Sequence, residues 1–264
     1  MATKSTLKRS LRSLAGLTLI AFFLSLCPSL AQNHYQIGIG STNILDTYLS
    51  QEKFHGTGLS FLTTSDRQRD SSRWLRSWQH QVHISTAKDR ADNASLIEAM
   101  YKFHYGFYRT LTAPQQPFEL HAGLMGNIGI GVIYDTRNGN NPVQARFGLH
   151  IMPSAKAAYQ LRLFRHDAQL RYQIDLPLVG VVFSPNYGQS YYELFSLGNY
   201  DHNIVPTTFV SAPNFRQQLS LLYALNPKLS LSLGYLGDYQ QQKVNNLKQH
   251  VINHVLMLGI AKGF

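Results

Sequence analysis

Ser190, Glu193, Asp201 and His202 fall in one short stretch and supply the side-chain types of a hydrolytic triad: a hydroxyl nucleophile, an imidazole base and a carboxylate to orient it. The spacing is not that of a nucleophile elbow, which needs glycine on both sides of the serine. Gly188-Gln189-Ser190-Tyr191-Tyr192 has only the first. Residues 184–203 therefore read as a long loop, packed on its own tyrosines or folded inward. The sharper alternative is a hydrolytic site with Ser190, Asp201 and His202 as its weak catalytic candidates.

A second group is Glu119, His121, Arg171 and Asp175, which share the polar parity of two alternating segments. Charged groups on the inward side of a closed sheet are expected to pair, because an unpaired one loses hydration without compensation. Residues 135–142 are dense in Asn and Gly, as in a hairpin loop. They lack the acidic spacing of a calcium loop. The chain has 11 histidines. Their nearest pairs, His80 with His83 and His250 with His254, do not line up with carboxylate or cysteine partners. The second pair would stand ~13 Å apart on one strand face, too far for a shared ion. No metal site and no cofactor are expected.

What positions these residues follows from composition and period. The 264 residues are 44% hydrophobic and 12% aromatic but only 14% charged, well below the charge of an ordinary soluble domain. Mean hydropathy is −0.18, and after the first thirty residues no apolar run is long enough for a membrane-spanning helix. A chain polar on average yet rich in Tyr and Phe suits a transmembrane β-barrel, whose residues alternate between lipid and lumen.

Lys4, Lys8, Arg9 and Arg12 precede the apolar run from Leu14 to Leu26 and the small-x-small site Ser29-Leu30-Ala31, the pattern of a secretory signal peptide over residues 1–31. Its removal would leave 233 residues, residues 32–264, as one domain. It would also take away four basic and no acidic groups, lowering the formal charge from +10 to +6. With no Lys/Arg block remaining, nucleic acid is not an expected partner. Cys27, the one cysteine, lies inside that signal. Leu26 and Pro28 on either side of it argue against a lipidated cysteine.

The clearest strand is at 229–239, where Leu229, Leu231, Leu233 and Tyr235 alternate with Ser230, Ser232 and Gly234. Tyr101, Phe103 and Tyr105 alternate in the same way with Lys102 and His104, and Leu170, Tyr172 and Ile174 with Arg171, Gln173 and Asp175. The period predicts strands near 35–41, 53–65, 74–87, 95–109, 117–133, 143–161, 167–182, 214–225, 229–239 and 250–264. That is an all-β fold, an antiparallel transmembrane barrel of ten strands. Twelve is the alternative, because 203–210 could add a hairpin arm. Short turns at 65–73, 112–116, 165–166 and 226–228 would face the periplasm; 135–142 and 184–213 would lie outside. The last strand ends on Phe264 and resembles the closing strand of bacterial outer-membrane barrels, where assembly machinery reads a C-terminal Phe.

Three stretches are more specific: Tyr134-Asp135-Thr136-Arg137-Asn138-Gly139-Asn140-Asn141-Pro142, Phe183 through Glu193 continuing into Leu197-Gly198-Asn199-Tyr200-Asp201-His202-Asn203, and Gly234-Tyr235-Leu236-Gly237-Asp238. On these the chain resembles an uncharacterised family of Bacteroidetes outer-membrane proteins, a domain of unknown function, over most of residues 32–264. The resemblance implies outer-membrane location and a barrel, and brings no reaction or catalytic residue with it. The expectation is a non-catalytic barrel, either a narrow or plugged porin-like pore or a structural or envelope-interaction protein. Its partners would be outer-membrane lipid, the barrel assembly machinery and a small solute. The alternative is a barrel-borne lipid hydrolase of phospholipase or lipid A deacylase type using Ser190 and His202, although the His-x-Ser-Asn-Gly signature of the phospholipases is absent.

Overall fold

A computed structural model of the chain describes residues 32–263 apart from 69–71, 114–115 and 140. The expected signal peptide at 1–31 and the terminal Phe264 lie outside the described residues. Twelve strand segments and one short helix, α1 (Tyr191–Phe195), follow one another, every pairing being antiparallel. The first six strands, β1 (Gln32–Asp46), β2 (Phe54–Gln68), β3 (Trp74–Lys88), β4 (Ser95–Thr110), β5 (Phe118–Asp135) and β6 (Val143–Leu163), form a simple meander. The ring closes where β1 pairs with the last strand, β12 (Leu247–Lys262), from Asn33↔Lys262 to Asp46↔Gln249.

Ten staves make the wall, because four segments combine into two. β7 (His166–Asp175) and β8 (Val179–Phe183) both pair with β6, at Ser154↔Asp175 and Ile151↔Val179. Three residues, 176–178, on one side match two, 152 and 153, on the other, so the join is a bulge, and it contains Pro177, which has no N–H to give to a ladder. Leu176 and Leu178 on either side still donate to the carbonyls of Pro153 and Ile151. β9 (Ile204–Thr208) pairs with β8, and β10 (Phe215–Asn226) with β7. These two also form one stave, interrupted by a turn that contains Pro213 and is stitched to β11 (Leu229–Val244) by Lys243 N–H donating to the Ser211 carbonyl. The expected hairpin arm at 203–210 exists, but it extends a stave and adds none; the strand count is ten.

Turns mark where boundaries differ from expectation. β11 and β12 run on to a two-residue turn at Asn245-Asn246, both at positive φ. Asparagine tolerates that region, and the mirror-image turn matches strand twist. The sequence reading stopped these strands early because Gln240 to Lys243 carry no apolar face. β6 and β7 are joined by Phe164-Arg165, also both at positive φ, one residue before the expected 165–166. In the 136–142 loop, by contrast, no described residue takes positive φ. Asp135 Oδ1 and Asn138 Oδ1 instead accept from the backbone of Arg137 and Asn141.

Leu256 and Leu258 point outward and are 59% and 58% exposed, as are Ile37, Ile39, Leu231 and Leu233 in lesser or similar degree. The inward positions are buried and largely polar, with three apolar clusters among them. One, with Ile44, Phe54, Leu96, Ile133 and Val251, closes part of the loop end of the lumen.

Candidate functional site

The lumen is where the chain's chemistry concentrates. Alternation sends Lys102 and Asp238 inward from β4 and β11, strands far apart in the ring, and their side chains meet at 2.6 Å. Gln81 on β3 donates to the same Asp238 oxygen at 2.8 Å. Arg216 on β10 reaches in three directions: Nη1 to Asp175 at 2.7 Å, Nε to Gln81 at 3.0 Å and Nη2 to Gln79 at 2.9 Å. Asp175 also accepts from Ser154 and Gln173. Two further pairs complete the set: Lys156 with Asp66 at 2.6 Å and Arg146 with Glu98 at 2.9 Å.

Four ion pairs thus line the lumen, three between strands that are not neighbours and Arg216–Asp175 between paired β10 and β7, most of their side chains buried, and they are joined by glutamines and serines. Desolvating such charges is expensive unless each is paired and its remaining lone pairs or protons are satisfied. The glutamines meet that need here. They carry both a donor and an acceptor, so Gln81 gives to Asp238 while taking from Arg216.

The residues expected to share a network divide into two places. Asp175 lies in the central network, and its cationic partner is Arg216 rather than Arg171. Arg171 donates instead to Gln169. Glu119 and His121 approach each other at 3.7 Å near the end where β1 starts and β12 stops, with Glu119 half-exposed. Lys102, Arg216 and Asp238 were legible as inward by parity; the missing signal was the ring order, which sets β10 beside β7 and β4 across from β11.

The Ser190 stretch is built differently. Ser190 caps α1: its hydroxyl accepts from the Glu193 N–H, and the Glu193 carboxylate accepts from the Ser190 N–H at 2.7 Å, a capping box. Those bonds hold the Glu193 carboxyl below the usual glutamate range, the backbone one first. His202 sits at positive φ, its ring against neighbouring Asp201 at 2.5 Å and almost wholly exposed. No hydrogen bond joins Ser190 to His202, whose backbone carbonyl instead accepts from Asn245 at the β11–β12 tip. Tyr191 anchors the loop. Its hydroxyl donates to Gln144 at 3.0 Å and accepts from the Ala145 N–H at 2.7 Å, its ring packs on Phe195 and Tyr48, and burial pushes its phenol up. Tyr187, Tyr192 and Tyr200 face solvent, so only part of the loop packs on its own tyrosines.

The histidines separate too. His80 points outward to the Tyr101 hydroxyl, and His83 inward to Ser60. Among the described residues no group of three His, Cys, Asp or Glu is placed to hold a metal ion.

No curated protein matches the chain. Among solved structures it is similar to the translocator domain of autotransporter NalP from Neisseria meningitidis, at 11% identity and a TM-score of 0.42 with both chains fully covered. It is also similar to the transport unit of the autotransporter AIDA-I from Escherichia coli, at 10% identity and 0.48, covering 91% of this chain and 92% of that one. A third is the outer membrane protease OmpT from Escherichia coli, at 8% and 0.46, covering 91% and 98%. The family described as protein of unknown function (DUF3316) has a model that matches residues 27–264, and this chain belongs to that family.

Proposed function

We propose that the protein is a non-catalytic outer-membrane barrel with a plugged lumen, a structural or envelope-interaction protein of a Bacteroidetes-type cell envelope. The observation that supports this is the inversion of ordinary burial. Leucines and isoleucines such as Leu256 and Leu258 are exposed on the outer wall, while Glu98 and Asp175 are fully buried inside. In water such a wall would be an aggregating patch; in lipid it faces its matching solvent, with backbone groups satisfied by the closed ring. Stacked Trp74 and Phe107 near one end of the wall suit an interfacial aromatic girdle. The short-turn end, where β1 starts and β12 stops, would face the periplasm and the assembly machinery, and the 184–203 loop the exterior. With Ser190 used as a helix cap, nothing in its geometry favours the lipid-hydrolase alternative.

Two measurements test this reading. Leu256→Arg places a charge in the outward band and should cost about 2–4 kcal/mol of stability in lipid vesicles if it lies near the midplane; no change would remove the membrane face. In a planar bilayer the wild type should show no large stable conductance, because a barrel near ten strands has an interior that side chains nearly fill. The Asp175→Ala/Arg216→Ala variant should conduct more. Porin-like conductance from the wild type would overturn the plug.

A further inference from the structure

The part of the lumen toward the long loops is not filled. A cavity of ≈ 80 Å³ lies there, room for several waters or one small polar solute. It extends from His104 to Gln242 and Gln249, which face each other near the β11–β12 tip. Its upper part thus lies toward the loop end. On the β5–β6 side the wall includes Gly129 and Gly148 among larger side chains. A Cβ at Gly129 would meet nothing nearer than 3.7 Å, so the absent side chain is the space.

Charge on the wall has one dominant sign. Lys102, Arg146 and Arg216 line the cavity against the single carboxylate of Asp238, while Glu98 and Asp175, the counterions of the two arginines, stand outside the lining. The Lys102 ammonium has three protons, and its bond is to Asp238.

Two imidazoles complete the wall. Register places His104, Asn127 and His150 side by side on one rung of β4, β5 and β6. The Asn127 Nδ2 lies 3.4 Å from the Phe103 carbonyl and 3.2 Å from His104 Nδ1. An amide nitrogen that donates to the carbonyl also donates to the ring, so His104 Nδ1 accepts and its proton resides on Nε2. That Nε2–H is buried without a partner, in a side chain 1% exposed, and the His150 Nε2 is buried and unpartnered as well. A buried donor left unpaired is costly. Paired imidazoles also suit a transition metal, but three cations in the same wall oppose one, and the single nearby carboxylate is already bonded to Lys102.

We infer that this cavity binds a small oxyanion, a solute carrying a carboxylate or phosphate group, which enters from the loop end and accepts from His104 Nε2–H and Lys102 Nζ beside His150. The inference deepens the plugged-barrel reading and rests on it: the ion-paired layer would be the floor of the site.

The test uses the full mature chain, folded in detergent micelles, with closure of the barrel checked by its gel mobility before and after heating. Inorganic phosphate and sodium acetate are titrated separately by calorimetry at constant ionic strength with chloride as background. Saturable one-to-one binding is expected, phosphate alone or acetate alone telling which oxyanion the site takes. His104→Ala and His150→Ala, on different strands, should each weaken it at least tenfold, while His80→Ala on the outer wall leaves it unchanged. A folded wild type that binds neither anion overturns the inference, since waters alone would then serve the two imidazoles. Binding undiminished in both lumen variants overturns it equally. Large conductance would instead strike the plug and leave the titration readable.

Discussion

The lumen and the 184–203 loop both gather charged and hydroxyl side chains, yet they are built on opposite plans. In the loop the partners are local and at most half-buried: Ser190 with Glu193 three positions on, and exposed Asp201 with adjacent His202. In the lumen they are remote and buried: Lys102 with Asp238, Arg216 with Asp175. Proximity in sequence brings residue types together without desolvating them, so the loop's constellation has the contents of a catalytic triad and the behaviour of a helix cap. Closure of the sheet does the reverse.

The comparison can be pressed hardest from the lumen side. Arg216→Ala strips a buried carboxylate of its cation and should cost about 3–5 kcal/mol, read from urea unfolding in lipid vesicles. The double variant with Asp175→Ala should cost less than the two single changes together. Strict additivity would mean that the pair is not a unit. On the loop side, Ser190→Ala removes the cap of a five-residue helix, about 1 kcal/mol. It should speed amide exchange at residues 192–195 while leaving barrel unfolding unchanged; a barrel destabilised by this change would erase the distinction. The smallest effect concerns acid. Because the Glu193 carboxyl is held below its ordinary range, its contribution is present above that range and lost as pH falls through the depressed value. Amide exchange in α1 should therefore quicken on acidification, and the Glu193→Gln chain should not show that response.

How much was legible follows the same division. Period-two alternation gave nearly every stave, because a closed sheet with an apolar outer face and a polar inner face writes both into adjacent residues. Leu231 beside Ser232 is enough to orient β11. The break at Pro177 and the arm at 204–208 left the count open between ten and twelve, since one sequence cannot say whether a segment extends a stave or adds one. The glutamine-rich end of β11 was missed because above the apolar band neither face needs to be hydrophobic. Asp175 and Arg216 both carried inward parity; that they pair was not legible, since pairing depends on which strands neighbour each other in the ring. Lys102 and Asp238 carried the right parity with nothing local to join them.

The closure of β1 on β12 also bears on how the barrel is made. The ion pair between Lys102 and Asp238 spans more than half of the described chain, and the β1–β12 ladder joins its two ends. Neither can form until almost all of the polypeptide is in place, and contacts this distant carry a large loop-closure entropy before they give anything back. Until then Lys102 and Asp238 lack each other and depend on water. Assembly must keep the interior wet until late, with dehydration of the core deferred to the seam's final closing.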